Sequence, residues 1–147
     1  MKSNQKQINY CKKLIINTKA TYSSIKKIYC PILEEYVVFN AKGFHHLLYK
    51  SDGTSRDIAE KIYKLTLFPL AIPVIKNSIG IIEERNVKIR ENRKKNAKIK
   101  KGKTYTLVVV VGKKKPVATR VIILKVGNGN FMFWSIMKDN KLKTPSI

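Results

Sequence analysis

Apolar and weakly polar positions divide this chain into two halves of different periodicity. From Ile8, the residues Cys11, Ile15, Thr18, Tyr22 and Ile25 recur every three or four positions with lysines between them, a spacing that lays a stripe along one or two basic amphipathic helices. Tyr36 to Phe39 is a short apolar run of β-forming residues and predicts a strand, entered past Cys30 and Pro31. Asn40, Ala41, Lys42 and Gly43 then read as a turn. Phe44, Leu47 and Leu48 return to helical spacing, so His45 and His46 open a short helix directly after a strand. A polar loop at Lys50 to Ser55 leads to a helix beginning near Arg56, capped by Thr54 or Ser55, with Ile58, Ile62, Leu65 and Phe68 on one face. Pro69 stops or kinks it, and Pro73 fits the first turn of a second short helix within Leu70 to Asn77.

The second half alternates at shorter period. Ile79 to Glu84, Val87 to Glu91, Thr104 to Val111, Val117 to Val126 and Phe131 to Met137 predict strands separated by turn residues, with hairpin loops at Gly112 to Pro116 and Gly127 to Asn130. The unbroken runs Leu107 to Val111 and Val121 to Leu124 predict central strands covered on both faces. Helices followed by an antiparallel meander define an α+β chain. With 147 residues it is expected to be one domain: a basic helical extension over 1–28, the α+β body over 29–138 and a tail over 139–147.

Charge narrows the partners. Thirty-one basic residues against nine acidic ones give a formal net charge of +22, a field that attracts polyanions and makes nucleic acid the expected partner. Few of the cations are arginines, which favours diffuse phosphate contacts over bidentate base reading. The densest basic run spans Lys88 to Lys103 and predicts either a solvated hairpin tip or a phosphate-gripping arm. No apolar run reaches the roughly 20 residues of a membrane span, so the expectation is a cytoplasmic protein that does not bind membranes. Cys11 and Cys30 show no metal-ligand spacing and read as reduced structural thiols.

The same inventory restricts the chemistry. No D-x-D, H-x-x-x-H or C-x-x-C spacing, no phosphate-binding glycine loop and no G-x-S-x-G elbow occurs, so neither a metal site nor another cofactor is expected. What remains is the histidine pair, an arginine at a helix start, the Glu83 and Glu84 pair and Ser135 in a hydrophobic strand. These suit cleavage of RNA without a metal: a base takes the 2′-hydroxyl proton, an acid protonates the leaving 5′-oxygen, and a cation stabilises charge on phosphorus. His45 or His46 can be acid or base, Arg56 or a lysine the phosphate clamp, and Glu83 or Glu84 a second proton-transfer group.

In order along the chain, Cys30-Pro31, Val38-Phe39-Asn40 to Gly43-Phe44-His45-His46, Ser55-Arg56, Lys64-Leu65 with Leu67, the Glu83/Glu84 strand, and Gly127 to Phe133-Trp134-Ser135-Ile136 resemble the phage-associated barnase/EndoU/colicin/RelE-like nucleases. The resemblance covers about Ile28 to Lys138. It implies N-terminal helices packed on an antiparallel four- to five-stranded sheet with the active site on its open face, and a metal-independent endoribonuclease serving as a toxin of a mobile element. It places the family histidine at His46 and its arginine at Arg56; Lys64 stands where the family has arginine. The expected catalytic residues are His46, Arg56, Glu84 and Ser135. The expected substrate contacts are His45, Lys42, Lys64, Arg85, Arg90, Arg120 and Lys125. An acidic antitoxin or immunity protein is a possible partner. The competing expectations are a basic nucleic-acid-binding module without turnover, or a toxin-like protein that docks an acidic partner.

Overall fold

The computed structural model describes residues 4–90, 99–112, 114 and 116–139. Helix α1 (Gln5–Ile25) begins at Asn4, whose side chain accepts from the Gln7 backbone N–H, and buries Cys11, Thr18 and Tyr22. The stripe is therefore one helix, not two. Strands β1 (Lys27–Cys30) and β2 (Glu35–Val38) follow, then α2 (Ala41–Leu48), α3 (Ile58–Leu67), a 3-10 turn at Phe68–Leu70 and α4 (Ala71–Asn77). The second half supplies β3 (Ile81–Arg90), β4 (Ile99–Val111), β5 (Val117–Val126) and β6 (Phe131–Lys138). Pro69 ends α3 in the 3-10 turn and Pro73 lies in the first turn of α4, where a missing N–H costs no helical hydrogen bond.

The strands form a six-stranded sheet of order β1-β2-β6-β5-β4-β3. The α+β class holds, but the expected four- to five-stranded antiparallel sheet is enlarged and mixed. β1 was not foreseen: it is four residues long and pairs antiparallel with β2, which in turn runs parallel to β6 through Val37–Phe131 and Val38–Met132. The boundary expected at 28/29 falls inside β1. Of the tail expected at 139–147, only Asp139 is described. The two strands expected at Ile79 to Glu84 and Val87 to Glu91 are one continuous β3, bent by a bulge at Ile82.

Helices cover one face of the sheet. Tyr22 is the centre of this core: its ring meets Phe39, Phe44, Phe68 and Phe133, and its hydroxyl donates to the Asn40 carbonyl at 2.7 Å. Burial raises the Tyr22 phenol well above its usual range, so it stays a neutral donor. Leu107, Val121, Ile123, Phe133 and Ile136 face the same core from the sheet, and α4 lies across β1, β4 and β5. Because side chains alternate along a strand, the residues between these point to the opposite face. That face is open. Val110 is 42% exposed, so the valine run of β4 is not covered on both sides as its continuity suggested.

Candidate functional site

The open face carries a cleft of about 500 Å³, roofed on one side by α2, α3 and the loop between them. Its position depends on how α2 meets the sheet. Asn40, expected in a turn, is the N-cap of α2 and accepts from the Gly43 N–H. Gly43 lies so close to β6 that a Cβ there would collide with the Phe133 carbonyl oxygen and the Tyr22 hydroxyl. Only glycine permits this approach, and the approach brings His46 onto β6.

His46 is held at three points. Its Nδ1–H donates to the Trp134 carbonyl oxygen at 2.9 Å, its ring stacks on the Trp134 indole with centroids 4.2 Å apart, and Nε2 lies 3.3 Å from the Ser51 hydroxyl. A carbonyl can only accept, so Nδ1 carries the proton and Nε2 keeps its lone pair. Burial pushes the pKa of His46 down to about 4; the Trp134 hydrogen bond opposes this, and the charges of Arg56, Lys64 and His45 add to it. At neutral pH the ring is uncharged.

Trp134 and Ser135 both reach the cleft because β6 bulges there. Ile122 pairs with Ser135 and Ile123 with Phe133, leaving Trp134 as the extra residue between two ladder positions. Without the bulge, alternation would send one of these neighbours into the core. Ser135 is buried, and Lys64 of α3 donates from Nζ to its hydroxyl at 3.0 Å and to the Ile136 carbonyl at 2.8 Å. Lys64 is itself buried. Desolvation lowers its pKa to about 8, with Arg56 adding to the shift and Glu60 opposing it.

Arg56 is fixed before α3 begins. Its backbone N–H donates to the Leu48 carbonyl, its Nε donates to the His46 carbonyl at 3.1 Å, and its Nη1 meets Glu60 at 3.3 Å. The helix cap expected at Thr54 or Ser55 is instead Asp57, whose side chain accepts from the Glu60 N–H. Thr54 serves the preceding loop, donating from backbone and hydroxyl to Asp52, whose carboxyl is thereby held below the usual carboxylate range. This closed loop sets Lys50 and Ser51 on the cleft rim.

The far wall comes from β3, β4 and β5. Glu83 and Arg85 pair on β3, beside Thr104 and Thr106 of β4. Arg120 of β5 donates to Asp139 at 3.3 Å, and its Nε is buried without a hydrogen-bond partner, aimed at nothing the described protein supplies. Thus Lys50, Arg56, Lys64, Arg85 and Arg120 line the cleft with Glu83 as its carboxylate. Glu60 and Asp139 brace the arginines from behind.

Of the residues expected from the sequence, His46, Arg56, Ser135, Lys64, Arg85 and Arg120 converge. Glu84 does not: it pairs with Tyr105 on the helix side of the sheet and bridges to Lys103, so Glu83, left open as its alternative, is the cleft carboxylate. Lys125 is also on the helix side, in step with Val121 and Ile123, with its ammonium over the Phe131 ring. His45 stacks on Tyr49 and lines a separate cavity between α1 and α2, while Lys42 is exposed in the first turn of α2. The side chain of Arg90, and residues 91–98 of the basic run, lie outside the described residues. Trp134, Lys50 and Ser51 were not singled out as site residues. The aromatic next to Ser135 was the available signal for Trp134.

Among the described residues, no three His, Cys, Asp or Glu side chains stand close enough to hold a metal ion, and no helix is long and apolar enough to cross a membrane. Comparison with family models, curated proteins and solved structures returned no match.

Proposed function

We propose that the cleft binds a phosphodiester of RNA and cleaves it by 2′-hydroxyl transesterification. One observation carries this: a neutral histidine, with its proton fixed on Nδ1, presents a lone pair at Nε2 in a cleft lined by five cationic side chains. A lone pair in that position can accept a proton. Fixed cations around it suit a reaction in which negative charge develops on phosphorus.

In this mechanism the Ser51 hydroxyl, which donates to His46 Nε2 in the free protein, gives way to the 2′-hydroxyl, and Nε2 takes the 2′-hydroxyl proton as the oxygen attacks the adjacent phosphorus. Arg56 and Arg120 stabilise charge on the non-bridging oxygens, the uncommitted donor capacity of Arg120 being directed to phosphate. Lys64, with two of its three N–H groups held by Ser135 and Ile136, donates a proton from Nζ to the departing 5′-oxygen. The P–O5′ bond breaks as the P–O2′ bond forms, leaving a 2′,3′-cyclic phosphate and a 5′-hydroxyl. Ser135 is a positioning residue, fixing Lys64 rather than attacking. Arg56 likewise positions His46 through the carbonyl it holds.

The test is incubation of the purified protein with total RNA in excess chelator, followed by identification of the ends. Cyclic phosphate and 5′-hydroxyl ends are the expected products. RNA that is bound but left intact would contradict the proposal and leave a nucleic-acid-binding module.

A further inference from the structure

The open face extends beyond the cleft. On β1 and β2 the residues Ile28, Cys30 and Val37 are buried in the core, so by alternation Lys27, Tyr29 and Tyr36 lie on the cleft side of the sheet. Glu35, the carboxylate on β2, falls on the other face. Tyr29 and Tyr36 are directly paired across the strands, their ring centroids 5.3 Å apart and their planes inclined by 69°. Tyr29 is 45% exposed and Tyr36 50% exposed, and the Lys27 ammonium sits 4.5 Å from the Tyr36 ring centre. The pairing itself stabilises the hairpin modestly, yet leaves about half of each ring open to solvent.

Register relates this pair to the cleft. Val38 aligns with Met132 in the parallel β2–β6 pair, so Tyr36 lies two residues to one side of that level and Trp134 two to the other. Four residues of strand span about 13 Å, and β2 and β6 are hydrogen-bonded neighbours. A strand of RNA with one phosphate in the cleft can therefore lay a nearby nucleotide across the tyrosines. Exposed rings beside a cation are the usual means of holding unpaired bases without reading their sequence.

We propose that Tyr29 and Tyr36, with Lys27, form a stacking platform for unpaired bases of the RNA whose scissile phosphate occupies the cleft. The platform rests on RNA being the ligand of the cleft. It selects single-stranded RNA over duplex, because a paired base offers no free face, and it favours strands long enough to reach both places.

The experiment compares the wild type with Tyr29→Val/Tyr36→Val, which keeps β-forming residues, and with Tyr29→Phe/Tyr36→Phe, which keeps the rings. Each is assayed on a dinucleotide confined to the cleft and on a single-stranded oligonucleotide spanning both sites, with thermal unfolding and oligonucleotide affinity measured by fluorescence anisotropy. The valine variant is expected to raise KM and Kd for the oligonucleotide about tenfold, consistent with stacking on aromatic rings. Its dinucleotide kinetics should match the wild type, its melting temperature should fall by only a few degrees for the lost ring pair, and the phenylalanine variant should behave as wild type throughout. Unchanged oligonucleotide affinity in the valine variant, or an equal loss on the dinucleotide, would overturn the platform even if cleavage is observed. A wild type that neither cleaves nor binds RNA would overturn the cleft proposal as well.

Discussion

The two faces of the sheet are built from alternate residues of the same strands, yet they solve opposite problems. The helix face gathers Tyr22, Phe39, Phe68 and Phe133 into a cluster of interlocking rings from which charge is excluded. The open face sets Arg56, Lys64, Arg85 and Arg120 around one neutral histidine. Gathering like charges opposes folding, and the protein offsets it by bracing three of the four with Glu60, Glu83 and Asp139. Lys64 makes no ion pair among the described residues; burial and, after it, the charge of Arg56 lower its pKa to about 8, with Glu60 opposing them. The first face makes the fold; the second is held in place by it. Phe133 and Trp134 show the division most closely, because one bond separates a core ring from a cleft wall.

Substitution at these neighbours should separate the roles. Phe133→Ala removes a fully buried ring and is expected to cost about 3–5 kcal/mol, read by chemical denaturation, with loss of the cleft following from loss of the fold.

A smaller effect comes from pH. With His46 as base and Lys64 as acid, kcat/KM should rise as pH climbs through about 4 and fall beyond about 8. The histidine also links to stability. Its folded pKa lies below the unfolded value of about 6.5, so the unfolded chain binds more protons between these values. Its contribution is therefore present above about 6.5 and lost as pH falls toward 4. Denaturant melts of the wild type should weaken across that window, and the slope should diminish in His46→Gln.

The smallest effect separates two adjacent carboxylates. Glu83→Gln removes the negative charge from the cleft and should tighten RNA binding by a few fold at low salt, while Glu84→Gln, on the other face, should leave affinity within error. Equal effects would mean that the alternation does not isolate the faces.

Much of this division was legible before the structure. The β-branched runs of β4 and β5 and the helical spacing of α1 and α3 declare themselves because each is long enough to show its period. β1, at four residues, is too short to do so, and its neighbour's parallel pairing with β6 joins segments nearly a hundred residues apart, which no local pattern records. The residues that converge in the candidate cleft were legible to the same depth. Residue types pointed to His46, Arg56 and Ser135, but the choice between Glu83 and Glu84 depends on the bulge at Ile82, and the placing of Trp134 beside Ser135 depends on the bulge in β6. Lys125 and His45 lie away from the cleft, and charge and residue type do not reveal which face a side chain takes.

The two histidines give the most direct test, since they are sequence neighbours in different surroundings. His46→Ala and His45→Ala should be compared under single-turnover conditions on the same single-stranded RNA in chelator. Loss of a general base predicts a fall of about 10²–10⁴-fold for His46→Ala with RNA affinity largely kept, and a rate near wild type for His45→Ala. Full cleavage by the His46 variant, or equal losses in both, would contradict a catalytic cleft on the open face.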